Sequence, residues 1–133
     1  MPFENLNSTP DPSEVITRYV FWKRHYLSQN ARVNYKAWEP WSGDNQTSVA
    51  RIVGLSDQDV WELGKQHVEP LRGRPILARA DISVQSVTNI GLRVDPDEPP
   101  PRHANIAGWA EDTDAHMSKA QQLAAESVCK LLP

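Results

Sequence analysis

The residues best suited to chemistry fall in one run, Pro99-Pro100-Pro101-Arg102-His103-Ala104-Asn105-Ile106-Ala107-Gly108-Trp109. Three prolines remove main-chain donors and predict an extended, polyproline-like approach. If the residues after them form a half-buried strand, His103 and Asn105 share one face, and Ala104 and Ile106 share the other. An imidazole and a carboxamide then stand about 7 Å apart, two residues' rise, with Arg102 at the entrance. Such a set can hold a phosphate, a carboxylate or a peptide backbone, and His103 can exchange protons near neutral pH. The same residues also suit a structural role, with His103 and Asn105 satisfying loop carbonyls and Trp109 plugging the second helix.

A second feature is electrostatic. Between Glu14 and Glu39 there is no carboxylate, whereas Arg18, Lys23, Arg24, Arg32 and Lys36 are cationic and interleaved with Tyr19, Phe21, Trp22, Tyr26, Tyr35 and Trp38. Cations hold phosphates and aromatic faces stack bases, so this composition suits a nucleotide or single-stranded nucleic-acid site. A strand would instead send alternate aromatics into the core and leave Arg18 and Arg24 as ordinary outward-facing residues. An enzyme acting on a nucleotide or other phosphorylated substrate would draw on His103 or His25 as acid and base, with Arg79 or Arg102 as anion clamp. A partner-binding module would use Trp38 and Trp41 beside Pro40 as anchors, or the proline strip flanked by Asp95, Asp97 and Glu98 as a docking segment. Trp38 serves equally to close the end of a small core.

Other chemistries find little footing. There is no G-x-G-x-x-G, no Walker loop, no H-E-x-x-H and no C-x-x-C. His25, His67, His103 and His116 are scattered without metal-ligand spacing, so neither a metal nor a cofactor is expected. The single cysteine, Cys129, excludes an intrachain disulfide and suggests a reducing compartment. No apolar run approaches the roughly 18 residues that span a bilayer. Met1 to Glu14 has neither a basic nor an apolar region of signal-peptide type, so the cytoplasm is the expected location. A net charge of −3 is too small to define a partner.

These residues need a scaffold, and 133 residues suit one domain with one core. Only 39% of them are hydrophobic, but five are tryptophans, which predicts a small core anchored by aromatics. Residues 1–13 read as a flexible tail and 14–133 as the domain. Val15–Trp22 is rich in β-branched and aromatic residues and predicts a strand. A turn or short helix near Tyr26, an extended piece over Arg32–Trp38 and a loop through Pro40, Ser42-Gly43 and Asp44-Asn45 follow. Thr47–Val53 predicts a second strand. Ser56 is placed to cap the N–H of Asp59, with Leu55 and Val60 as a hydrophobic staple, and Pro70 stops the helix.

Ile76–Gln85 alternates with period two and predicts a strand, with a bulge or turn near Ser86–Asn89. Ile90, Leu92 and Val94 predict another, ended by Asp95-Pro96, and Ala104–Gly108 a short last one. A helix starting at Asp112 or Thr113 carries Met117, Ala120, Ala124, Val128 and Leu131 at helical spacing, with Lys130 near its end. The order β-β-α-β-β-β-α predicts an α+β fold, a mostly antiparallel sheet of about five strands packed by two helices.

Three stretches together resemble a group of small bacterial hypothetical proteins without an assigned activity. They are Gly54-Leu55-Ser56 leading to Trp61-Glu62-Leu63-Gly64, then Gly73-Arg74 with Arg79-Ala80-Asp81-Ile82, and Pro101-Arg102-His103-Ala104-Asn105-Ile106 with Gly108-Trp109. The resemblance implies bacterial origin and no mechanism. The residues as a whole read as a non-enzymatic binding or accessory protein engaging a protein partner or a phosphate-bearing ligand. The small enzyme and the single-strand binder stand as alternatives. Candidate binding residues are Arg102, His103, Asn105, Trp109, His25, Arg79, Arg32 and Lys36.

Overall fold

A computed structural model of the chain describes residues 3–6, 8–27 and 32–133. The fold is α+β, as expected, and its centre is a six-stranded sheet. In chain order the main elements are β1 (Val15–Val20), β2 (Tyr26–Leu27), β3 (Arg32–Val33), β4 (Thr47–Arg51), α1 (Asp57–His67), α2 (Glu69–Arg72) and β5 (Ala78–Ser83). They continue with α3 (Val84–Asn89), β6 (Arg93–Pro96), β7 (His103–Ala107), α4 (Thr113–Glu126) and β8 (Val128–Leu131). The sheet runs β6-β7-β4-β1-β5-β8 with every neighbouring pair antiparallel, and β2 pairs β3 in a separate small ribbon.

Alternation along β1 decides what each face of the sheet receives. Ile16 and Val20 join Ala78, Ala80, Ala104, Ile106, Trp38 and Leu123 of α4 in one apolar cluster. Tyr19 and Phe21 join Val60, Trp61 and Leu63 of α1, with Ile76, in another. Helix α1 starts where its residues dictate, the Ser56 hydroxyl accepting from the Asp59 N–H at 3.2 Å. It lies close on β1 because Gly64 has no side chain. A Cβ there would meet Ile76 Cδ1, and would stand 2.7 Å from Tyr19 Cε1. The Tyr19 hydroxyl donates to Val60 O at 2.5 Å, tying strand to helix.

Four local expectations are corrected. The sheet has six strands rather than about five, because the C-terminal helix ends at Glu126 instead of running to Lys130. β-Branched Val128 and buried Cys129 continue as β8, with Cys129 opposite Ala80. Ser86–Asn89 is neither bulge nor turn but part of α3, since the Ser83 hydroxyl accepts from the Ser86 N–H and caps a helix. That ends β5 at Ser83, and the next strand begins at Arg93 rather than Ile90. Only Arg32–Val33 of the piece read as extended is strand, because the Asn34 side chain accepts from the Lys36 N–H and starts a 3-10 turn over Tyr35–Trp38. Pro70 stops α1 as expected and then sits in the first turn of α2, where its missing N–H costs nothing.

Candidate functional site

The Pro99–Trp109 segment folds back on itself rather than approaching in extended form. The Glu98 carboxylate accepts from the N–H groups of Leu6 and Arg102, and His103 N–H donates to Pro100 O at 3.1 Å. Arg102 has a left-handed backbone, with φ of 66°, an unfavoured conformation for a non-glycine residue. Its guanidinium donates to Val53 O at 2.7 Å and to Arg51 O at 3.3 Å, which fixes the end of β4. Burial first, then the charge of Arg51, pushes its pKa down.

His103 and Asn105 do share a face, and a single residue takes both. Asp97 O lies 2.8 Å from His103 Nδ1, and Asp97 Oδ2 accepts from Asn105 Nδ2 at 2.8 Å. Ala104 and Ile106 are fully buried on the other face. Trp109 is buried edge-on against His116 of α4 and donates to Ile106 O, a plug over that helix. In this segment the polar groups therefore serve the loop that carries them.

Arg79 is also taken. Its side chain is 1% exposed and donates to Asp57 Oδ1 at 2.6 Å and Asp81 Oδ2 at 3.2 Å over the ring of Trp61. Lys130 stands 3.5 and 3.6 Å from the same two carboxylates, so two cations face two anions. A groove of about 540 Å³ opens beside them. A clamp neutralised in this way has little field left for an anion. His25 lines none of the described grooves, while His103, Arg79 and Arg102 each line a different one. The four residues of the enzyme reading are not brought together.

The convergence lies instead at the end of β1. Register pairing of β1 with β4 covers only Ile16↔Arg51 and Thr17↔Ala50. Beyond it the Arg18 guanidinium bridges the strands, Nη1 donating to Ser48 O at 2.8 Å and Nε to Ala37 O at 2.9 Å. Arg18 forms no ion pair among the described residues, and none of the remaining residues is acidic. Its pKa is pushed down to about 9 by burial first and then by the charge of Arg72, which still leaves it cationic at neutral pH. Arg18, Ser48 and Arg72 form a wall common to two spaces. One is an open groove of about 570 Å³, rimmed by Trp41 and Leu71, which are 69% and 72% exposed, and by Glu39 and Asp44. The other is a small apolar recess behind it, which His103 and His67 also line.

Further cations gather at this end of the sheet. Arg74 and Arg24 stack on Trp22 at 3.5 and 4.9 Å from its ring centre, and Arg72 lies 5.7 Å from that of Phe21. The His25 pKa is pushed below its ordinary 6.5 by partial burial, then by the charges of Arg24, Arg18 and Lys36. Neutral His25 is therefore the folded form near pH 7. Its share of stability is complete above about pH 6.5 and is lost as pH falls through the folded pKa, since the unfolded chain takes up the proton more readily. We predict an imidazole titration midpoint below 6.5 by NMR, rising in Arg24→Gln; a midpoint at or above 6.5 contradicts the gathering of charge.

Of the expected cationic residues, Arg18, Arg24 and Lys36 thus act on one locality, whereas Arg32 is an exposed residue of β3. Trp38 is fully buried and is no surface anchor; Trp41 is the exposed one. Sequence reasoning missed Arg72 and Arg74 as members of the site. Their signal was the run Arg72-Gly73-Arg74 just beyond a helix stop, which only the fold brings beside Phe21 and Trp22. No family model matches the chain, and neither a curated protein nor a solved structure matches it.

Proposed function

We propose that this chain is a cytoplasmic, non-enzymatic binding protein that receives a phosphate- or carboxylate-bearing ligand in the groove floored by Arg18. The observation that carries the reading is a partly buried guanidinium with no carboxylate partner, beside a second arginine, at the junction of two spaces. A charge left without a counter-ion in a poorly solvated place is costly, and an anion from outside relieves that cost. Arg18 spends Nε and Nη1 on two carbonyls, which fixes its plane, while Nη2 has no hydrogen-bond partner among the described residues. A guanidinium held in one orientation loses little further freedom on binding. Exposed Trp41 and Leu71 on the rim suit the rest of a ligand, or the partner that presents it.

Single-stranded nucleic acid is the second reading, favoured by the Arg24–Trp22–Arg74 stack and by the charge around His25. Against it, Tyr19, Phe21 and Trp38 are buried and offer no face to a base, and Glu39 and Asp44 would oppose a chain of phosphates. One experiment separates the two. Inorganic phosphate and propionate are titrated into labelled protein at low salt while the Arg side-chain Nε–H signals are followed. We expect saturable shifts at Arg18, weakened about tenfold by Arg72→Gln, a surface change that spares the fold. Absence of any saturable shift at Arg18 sinks the proposal. Oligonucleotide binding that falls steeply with salt and is lost in Arg24→Gln moves the function to the second reading.

A further inference from the structure

We infer that the ligand of the Arg18 groove is a compact anion bearing a short apolar arm of roughly two or three carbons, which enters the recess behind the guanidinium; this rests on the groove reading above. The recess and the groove share Arg18, Ser48 and Arg72 in their lining, so an anion held at the guanidinium stands beside both. Phe21, Leu63, Val68, Pro100 and Pro101 line it together with His67 and His103, and no carboxylate does. The space open to the centres of water-sized groups is about 30 Å³, enough for about two of them at 10–15 Å³ each. Water needs two to four polar partners to be held, and although His67 and His103 border the recess the surface turned to it is mostly apolar, so carbon is the better occupant.

Three features restrict the ligand further. The head must stay at the wall, because Arg18 is tethered to Ala37 O and Ser48 O and cannot follow a ligand outward without breaking those bonds. The arm cannot lengthen freely, because Leu63 is buried in one packed cluster with Tyr19 and Ile76, and overfilling such a space forces side chains off their rotamers. A second negative charge at the outer end is disfavoured, because Glu39 and Asp44 rim the mouth.

The test is a chain-length series read by calorimetry and by the Arg18 Nε–H shift. Carboxylates run acetate, propionate, butyrate and hexanoate, and phosphates run inorganic phosphate, methyl, ethyl and propyl phosphate; the tighter series identifies the head group. We expect each added carbon to strengthen binding up to about fourfold, an optimum near propionate and butyrate or ethyl and propyl phosphate, and a fall at hexanoate. Val68 is only partly buried, and Val68→Ala should deepen the recess and move the optimum outward by about one carbon. Equal affinity across both series, or affinity still rising through hexanoate, overturns the apolar arm and leaves the anion groove intact. No saturable binding of any member overturns both.

Discussion

Alanine in place of Glu14 is expected to destabilise the fold by about 3–5 kcal/mol, the cost of leaving a buried charge without its partner. Glu14 and Arg51 are 4% and 2% exposed and meet through two bonds, Nε to Oε1 at 2.6 Å and Nη2 to Oε2 at 2.9 Å. Arg51 spends the rest of its donors on Ser8 O at 2.8 Å, Leu6 O at 3.3 Å and the Ser8 hydroxyl. One guanidinium thus joins β4, the residue preceding β1 and a segment expected to be a free tail. Arg51→Met should cost a similar amount, for the stranded carboxylate and the released strap. The double variant Glu14→Ala with Arg51→Met removes both charges and should lose clearly less than the sum of the single losses, because the desolvation cost disappears with the attraction. Urea unfolding of the three variants measures this. Additive losses would show that the pair is not coupled.

Truncating Trp38 to alanine should cost about 3–5 kcal/mol, the range for large aromatics removed from a packed core. Trp38 is 0% exposed, on a 3-10 turn packed against α4, and its carbonyl accepts from the Thr47 hydroxyl at the start of β4. Its buried indole Nε1 has no hydrogen-bond partner among the described residues, so Trp38→Phe gives up little besides volume and should lose far less than the alanine variant. Thermal and urea unfolding give both values. A loss under 1 kcal/mol for Trp38→Ala would show that this ring does not anchor the core.

The parts of the fold legible in the sequence were those written in local chemistry. Ser56 with Asp59, the alternation over Ile76–Gln85, and Pro70 as a stop each rest on residues a few positions apart; the structure keeps the cap and the stop, and Ala78–Ser83 of the alternating run as strand. The short elements were not legible, because their signals compete. Ser83 followed by Val84 and Val87 reads equally as a strand passing into a bulge, and only the Ser83 cap decides for a helix. Val128 and Leu131 fit helical spacing from Ala124, yet the pairing of Cys129 with Ala80 outweighs that periodicity. The candidate site shows the same division. That His103 and Asn105 share a face follows from strand geometry, but their common partner Asp97 depends on how the proline turn folds back. The meeting of Arg18 and Arg72 could not be read at all, since it needs α2 to return over the end of β1, across 54 residues of chain.

The short register of β1 on β4 has a mechanical meaning. Two three-stranded leaves, β6-β7-β4 and β1-β5-β8, meet along two residue pairs, whereas β1 and β5 are joined along six. Where the ladder stops, a side chain takes over the backbone's task, with Arg18 as the stitch holding Ser48 of the other leaf. An anion held in the groove as proposed would therefore rest on the join with the fewest residue pairs in the sheet. By engaging the Arg18 stitch it would bear on how the two leaves are held, and so on residues it never touches.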